Sequence, residues 1–512
     1  MEKVIEMLGI TKVFPGTIAN DNVNFELLQG ETHVLLGENG AGKTTLMNIL
    51  YGLYQPEKGE IRIKGKQAKI NTPNDAIELG IGMVHQHFML VNNFTVAENI
   101  VLGIEPKKGL RIDMAKACKD VKEIADRYGF NMDPKAVIED ISVGQQQKVE
   151  ILKALYRGAE VLILDEPTAV LTPQEIEELG VIINNLKSEG KSVILITHKL
   201  KEVMKMSDRV TIIRRGKVTG TVNTSETNID KLAELMVGRK VNLVVQKEEA
   251  KVGKEILKIE GVEAKNHRGL VAVKDVTLTV RSGEILGIAG VDGNGQTELI
   301  EVLTGLRKPE AGKITLNGTD IYNKTPRKIA DCGVGHIPED RQKRGLILKY
   351  SLFENSILGT YHKKPFSKGI VMNYGEIRKY CKNLIEEFDV RTPNEDVTAA
   401  SLSGGNQQKL IAAREIAKDP ELLIASQPTR GIDVGAIEYI HKRLVQERDK
   451  GKAVLLVSLE LDEILALSDR IAVMYDGHIV DILDRKDADE KKLGVLMAGG
   501  TLDREKEVTS VE

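Results

Sequence analysis

Cysteine is scarce in this chain: its 512 residues hold three, Cys118, Cys332 and Cys381. They lie far apart without C-x-x-C spacing, so neither a zinc site nor a disulfide framework is suggested, which suits a reducing cytosol. Also missing is any stretch approaching 18 uninterrupted apolar residues, and the N-terminal MEKVIEMLGI has no signal-peptide apolar region. If the protein works at a membrane, other subunits must attach it. Nor is there an excess of one charge. Against 72 Lys and Arg stand 75 Asp and Glu, a formal net charge of −3 that gives no support for a nucleic-acid partner. What is present is 41% hydrophobic and 29% charged residues, a soluble globular composition, in a chain too long for one ordinary domain.

The most informative stretch is GENGAGKTT: Gly37, Glu38, Asn39, Gly40, Ala41, Gly42, Lys43, Thr44 and Thr45. It fits the G-x-x-x-x-G-K-[ST] phosphate loop, with the apolar run HVLLG before it and the helical run LMNILYGL after it. Glycines let the backbone take positive φ and bring successive N–H groups around an anion. A helix N-terminus points at the same spot, Lys43 can reach β- and γ-phosphates, and the Thr44 hydroxyl can ligate Mg²⁺.

An internal repeat sets the architecture. Val23 to Thr45 is echoed by Val276 to Glu298, Gly37 being answered by Gly290 (290 − 37 = 253). Ser142 is answered by Ser403 (403 − 142 = 261), so the second copy carries eight extra residues, expected around YHKKPFSKG. Each half opens with strand-rich sequence, enters the phosphate loop, then alternates apolar runs such as VLILDEP and SVILITH with helical stretches. This pattern predicts an α/β fold of two tandem domains, each a mainly parallel sheet core with an antiparallel β-element in front and an inserted helical subdomain near 88–141. The expected boundaries are 1–240 for the first domain, 241–254 for a charged linker, 255–498 for the second domain and 499–512 for a disordered tail.

The first half has more than the loop. VLILDEP ends an apolar strand in Asp165 and Glu166, ISVGQQQK lies upstream, and His198 follows about thirty residues downstream. This ordered set resembles the nucleotide-binding domains of ATP-binding-cassette proteins, over essentially the whole chain in two copies. The resemblance implies an ATPase that uses ATP and Mg²⁺. Asp165 would hold the metal with Thr44 and Gln86, and Glu166 would act as base or orient the attacking water. His198 matches the family's switch histidine, which senses the γ-phosphate. Gln86 matches the glutamine that touches Mg²⁺ and couples to the membrane partner, and Phe14 the aromatic under the adenine.

The second half departs from the pattern at these positions. Gln296 stands for Lys43, Ser426 for Asp165, Gln427 for Glu166, Leu459 for His198, Glu339 for Gln86 and His267 for Phe14. Its signature segment, however, keeps Ser403, Gly404 and Gly405, and TRGID supplies Asp433, whereas the first half has Val143 inside ISVGQ and Thr172 at the aspartate position. In the head-to-tail sandwich that the resemblance implies, the intact pieces of the two halves meet in one site. The other site is degenerate, and whether it retains nucleotide or serves only as an interface is left open.

Two fused cassettes without membrane spans look like the ATPase subunit of bacterial importers for ribose, galactosides and related simple sugars. GMVHQHFMLVNNFTVAENI and the stretch from ISVGQQQK to LTPQE most resemble the guanosine and purine-nucleoside branch. That likeness implies two permease subunits, an extracellular binding lipoprotein, and a place on the cytoplasmic face of the membrane. A cassette acting on ribosomes would be expected to have a long charged helical linker and two competent sites, and a DNA-repair type would need zinc-spaced cysteines. A dinucleotide-binding reading of GVDGNG explains its glycines less well than the repeat does.

Overall fold

In the computed structural model the described residues are 2–85, 89–109, 111–168, 171–240, 245 and 247–500. The chain divides into two compact units, Met1–Val241 and Asn242–Glu512. The first is built on a six-stranded sheet whose order is Lys217–Asn223, Arg209–Arg214, Thr32–Leu36, Ser192–Thr197, Val161–Asp165, Ile81–Val84. Four of its neighbour pairs are parallel and the edge strand Lys217–Asn223 is antiparallel. The central strands THVLL, VLILD and SVILIT are buried at every position, which is why they read as unbroken apolar runs rather than alternating ones.

In front lies a four-stranded antiparallel sheet led by Lys3–Phe14 and Thr17–Leu28. Leu46, Met47, Ile49 and Leu50, from the helix Lys43–Leu50, share one core with Ile163 and Ile196 of the main sheet and with Ile5, Met7 and Phe25 of the front sheet. The phosphate-loop helix is thereby wedged between the two sheets. The helical subdomain consists of Val96–Val101, Met114–Tyr128 and Val143–Tyr156, with a small hairpin, Lys107–Lys108 and Arg111–Ile112, that the apolar pattern did not announce.

The second unit repeats this plan, with sheet order Val334–Ile337, Leu422–Ser426, Ala453–Val457, Ile285–Ala289, Arg470–Tyr475, His478–Asp484. The eight extra residues are not one insertion. The offset is 253 at Ile81 against Val334, 256 at Val96 against Leu352 and 260 at Lys107 against Ser367. Three residues therefore enter ahead of Leu352, four, covering the expected YHKK stretch, ahead of Ser367, and the eighth between Tyr374 and Ala399, where the offset against Met114 and Ile138 goes from 260 to 261.

The linker also differs from expectation. Residues 247–254 are part of the second unit: Lys247 donates to the carbonyls of Leu467 (2.8 Å) and Ser468 (2.7 Å) and pairs with Asp469, and Arg448 holds the Glu248 carbonyl. The charge that reads as a solvated linker instead caps the C-terminal end of the helix Leu461–Leu467. Gly500 hydrogen-bonds Val495 at the end of the last helix, and the rest of the expected tail, 501–512, lies outside the described residues. Among the described residues no helix is long and apolar enough to cross a membrane.

Candidate active site

The strand Thr32–Leu36 delivers the chain to Gly37, and the helix Lys43–Leu50 starts from Gly42, which sits at φ +104°. That φ belongs to glycine, and a Cβ there would lie 2.2 Å from the Ala19 carbonyl. A Cβ on Gly37 would lie 2.3 Å from the Ile213 carbonyl. The loop is thus fixed between the front hairpin and the main sheet, while Asn39, Gly40 and Thr44 stay exposed. Asn20, fully buried, donates to the Gly42 carbonyl (3.1 Å), a support invisible in the motif. Lys43 is buried and bonds the loop's own carbonyls at Gly37 (2.7 Å) and Glu38 (3.0 Å). Burial holds its ammonium below the usual range against the pull of Glu166, Asp165 and Glu38. Its amine is therefore parked on backbone oxygens at the loop itself.

Asp165 closes the strand Val161–Asp165 with 4% of its surface exposed. Burial first, then the charge of Glu166, pushes its carboxyl up to about 6, against a hydrogen bond with Thr44. Glu166 follows at φ +47°, a left-handed conformation uncommon for a residue with a side chain. Its N–H donates to Ile196 (3.0 Å), and its carboxylate lies 3.0 Å from Nδ1 of His198. Burial raises the Glu166 carboxyl, but the His198 hydrogen bond and the charges of His198, Lys43 and Lys199 outweigh it, so the net direction is down. Two adjacent acids are driven apart, one toward holding a proton and one toward staying ionised.

Asp165 then has a sign-definite effect on stability. Its folded pKa lies above the ordinary carboxylate value, so the folded state binds more protons between about pH 4 and 6, and stability falls as pH rises through that window. Asp165→Asn is expected to raise ligand-free stability by about 1–3 kcal/mol above pH 7 and to leave it nearly unchanged near pH 4. Urea midpoints at the two pH values in the presence of EDTA check this, and equal shifts at both would contradict it.

Phe14 is half-buried at the tip of the front hairpin and meets Tyr54 edge to face, with ring centroids 5.5 Å apart. Gln86 lies outside the described residues. The first unit thus brings together the loop, Asp165, Glu166 and His198.

In the second unit the backbone is kept while the side chains are exchanged. Gly295 has φ +101°, and a Cβ on it would again meet a front-strand carbonyl, Ala272, at 2.2 Å. The Gln296 amide takes the place of the lysine and donates to Val291 (3.2 Å). Gln427 has φ +48° and donates its N–H to Val457 (2.7 Å), the same turn as at Glu166 without an acid. Glu339 accepts the Thr297 hydroxyl (3.3 Å) and pairs with Arg430. His267 is exposed.

Ser403 caps the signature helix Gly404–Ile416, and Asp433 caps Val434–Asp449 through a 2.7 Å bond from Ala436 N–H. A Cβ on Gly405 would lie 2.7 Å from the Asp433 carboxylate. In the first unit Ser142 caps Val143–Tyr156, and the acid over Gly144 is Glu175, whose Oε1 would be 2.0 Å from a Cβ. Glu175 belongs to a capping box with Thr172. Aligning residue against residue misses it, because the carboxylate enters three positions after the place where Asp433 stands.

The donor set of the first unit, one lysine, one threonine hydroxyl and two carboxylates around a glycine cradle, fits a metal-bound nucleoside triphosphate. The ABC transporter family pattern matches residues 20–169 and 273–430, once in each unit. The chain belongs to the ABC transporter family. As a cassette protein it binds and hydrolyses ATP. The guanosine import ATP-binding protein NupO of Bacillus subtilis is 60% identical over 98% of this chain and 98% of its own length. The nucleoside import ATP-binding protein NupA of Lactococcus lactis subsp. cremoris is 56% identical over 98% and 99%. A putative ribose/galactose/methyl galactoside import ATP-binding protein of Hahella chejuensis is 39% identical over 97% and 96%.

Proposed function

We propose that this cassette ATPase powers the uptake of purine nucleosides, guanosine among them, as the ATP-hydrolysing subunit of a membrane importer. The observation that carries the substrate class is 60% identity to a guanosine import ATP-binding protein over nearly the full length of both chains. The simple-sugar reading rests on a glucose import ATP-binding protein of Haloferax volcanii at 47% and on ribose- and galactoside-type relatives at 39% and 38%. Two permease subunits and an extracellular binding lipoprotein complete the assembly, which places this chain on the cytoplasmic face of the membrane.

Hydrolysis runs in the first unit. Lys43 exchanges the Gly37 and Glu38 carbonyls for the terminal phosphates, and the loop N–H groups hold the rest of the chain of phosphates. Thr44, Asp165 and Gln86 are the residues that would hold Mg²⁺, which neutralises phosphate charge when bound. Glu166 orients and deprotonates the attacking water, with His198 fixing its carboxylate. Phe14 supports the base. The two units pair head to tail, so that Ser403, Gly404, Gly405 and Asp433 close over the same ATP.

Uptake of labelled guanosine and ribose by cells lacking this chain tests the substrate. Loss of guanosine uptake with ribose uptake intact is the expected result. Loss of ribose uptake alone would move the assignment to simple sugars.

A further inference from the structure

Between Ile337 and Leu352 the second unit is three residues longer than the first between Val84 and Val96. Within this segment the chain forms a π-type turn, Arg341–Gly345, the kind of widened turn that marks functional positions. The turn is bonded along the signature helix. Gln342 donates to Gln407 (3.4 Å), and Arg414 donates to the Gly345 carbonyl (2.8 Å).

Arg341 reaches furthest. Its two terminal nitrogens donate to the carbonyls of Arg430 (2.7 Å) and Gly431 (3.1 Å), two residues before Asp433. The same guanidinium lies across the start of the signature helix, where a Cβ on Gly404 would be 2.9 Å from Nη2. One planar fork therefore ties the signature to the segment that carries Asp433, a task for which a single ammonium is too compact. This also accounts for a residue choice. Val143 of the first unit is 40% exposed, whereas any side chain at 404 must displace the arginine.

We propose that Arg341 is a positioning residue for ATP hydrolysis, holding Ser403–Gly405 and Asp433 in the arrangement that receives the terminal phosphate. The role rests on the reading that the second unit's signature completes the first unit's site. Arg344 extends the link, pairing with Glu301 of the second unit's own phosphate-loop helix (2.5 Å), so the degenerate loop and the intact signature share one brace.

The test is a double-mutant cycle in the full-length protein, read as steady-state ATP turnover. Arg341→Ala is expected to lower kcat about 10- to 100-fold, as misplacement by about an ångström does, with KM changed less than about threefold. Gly404→Ala pushes the same guanidinium away and is expected to give a similar loss, with the double variant no worse than either single. Arg341→Lys should fall between wild type and alanine. Additive losses in the double variant, or a kcat within about twofold of wild type for Arg341→Ala, would overturn the proposal. Ser403→Glu separates it from the reading beneath it. If this change leaves turnover intact, the shared site itself fails; if it abolishes turnover while Arg341→Ala does nothing, only the positioning role fails.

Discussion

Glu166→Gln is expected to reduce ATP turnover by about 100- to 10,000-fold while leaving ATP binding intact, the range for removal of a general base. The substitution is unusually clean here because the protein contains its own control. Gln427 already occupies the corresponding turn at φ +48°, against +47° at Glu166, with the same N–H bond to the neighbouring strand. Glutamine therefore fits that backbone, and its amide can still contact His198. What is lost is the ionised carboxylate that His198 and the nearby lysines stabilise. Turnover and ATP binding measured on the same preparation check the prediction. Turnover that survives would place the base elsewhere.

Lys43→Ala is expected to weaken ATP binding by about 10- to 150-fold, the loss of charge-assisted hydrogen bonds worth about 1.5–3 kcal/mol. Gln296→Ala, at the equivalent place in the second unit, should leave turnover within a few-fold of wild type. The structure makes the comparison fair, since both side chains are buried and both bond a carbonyl of their own loop. They differ in charge, not in placement. Titration of ATP against each variant, followed by turnover at saturating ATP, separates the two sites. Collapse of turnover in Gln296→Ala would overturn the assignment of hydrolysis to the first unit.

Much of this was legible in the sequence, for identifiable reasons. Strands buried on both faces betray themselves as apolar runs, and the phosphate loop fixes its glycines by carbonyls at 2.2–2.3 Å that tolerate no Cβ. The repeat then located the second phosphate loop and the turn at Gln427, where the main chain matches that of the first unit. What escaped depends on partners distant in sequence. Asn20 supports the loop through a carbonyl 22 residues away, and its counterpart in the second unit is the buried Val273, so neither periodicity nor the repeat singles it out. Glu175 reaches Gly144 from a capping box, and Lys247 reaches Leu467 across 220 residues. The extra length of the second half was countable, but its division among the Arg341 turn, the segment before Ser367 and the stretch before Ala399 follows from the structure alone.

The turn shared by Glu166 and Gln427 has one further meaning. A conformation this uncommon for a residue with a side chain survives in the second unit although nothing acidic is left there to aim. At this turn the difference between the two units is therefore confined to the side chain, and the main chain beneath it is the same. Gln427→Glu would return an acid to that place without altering the turn that holds it.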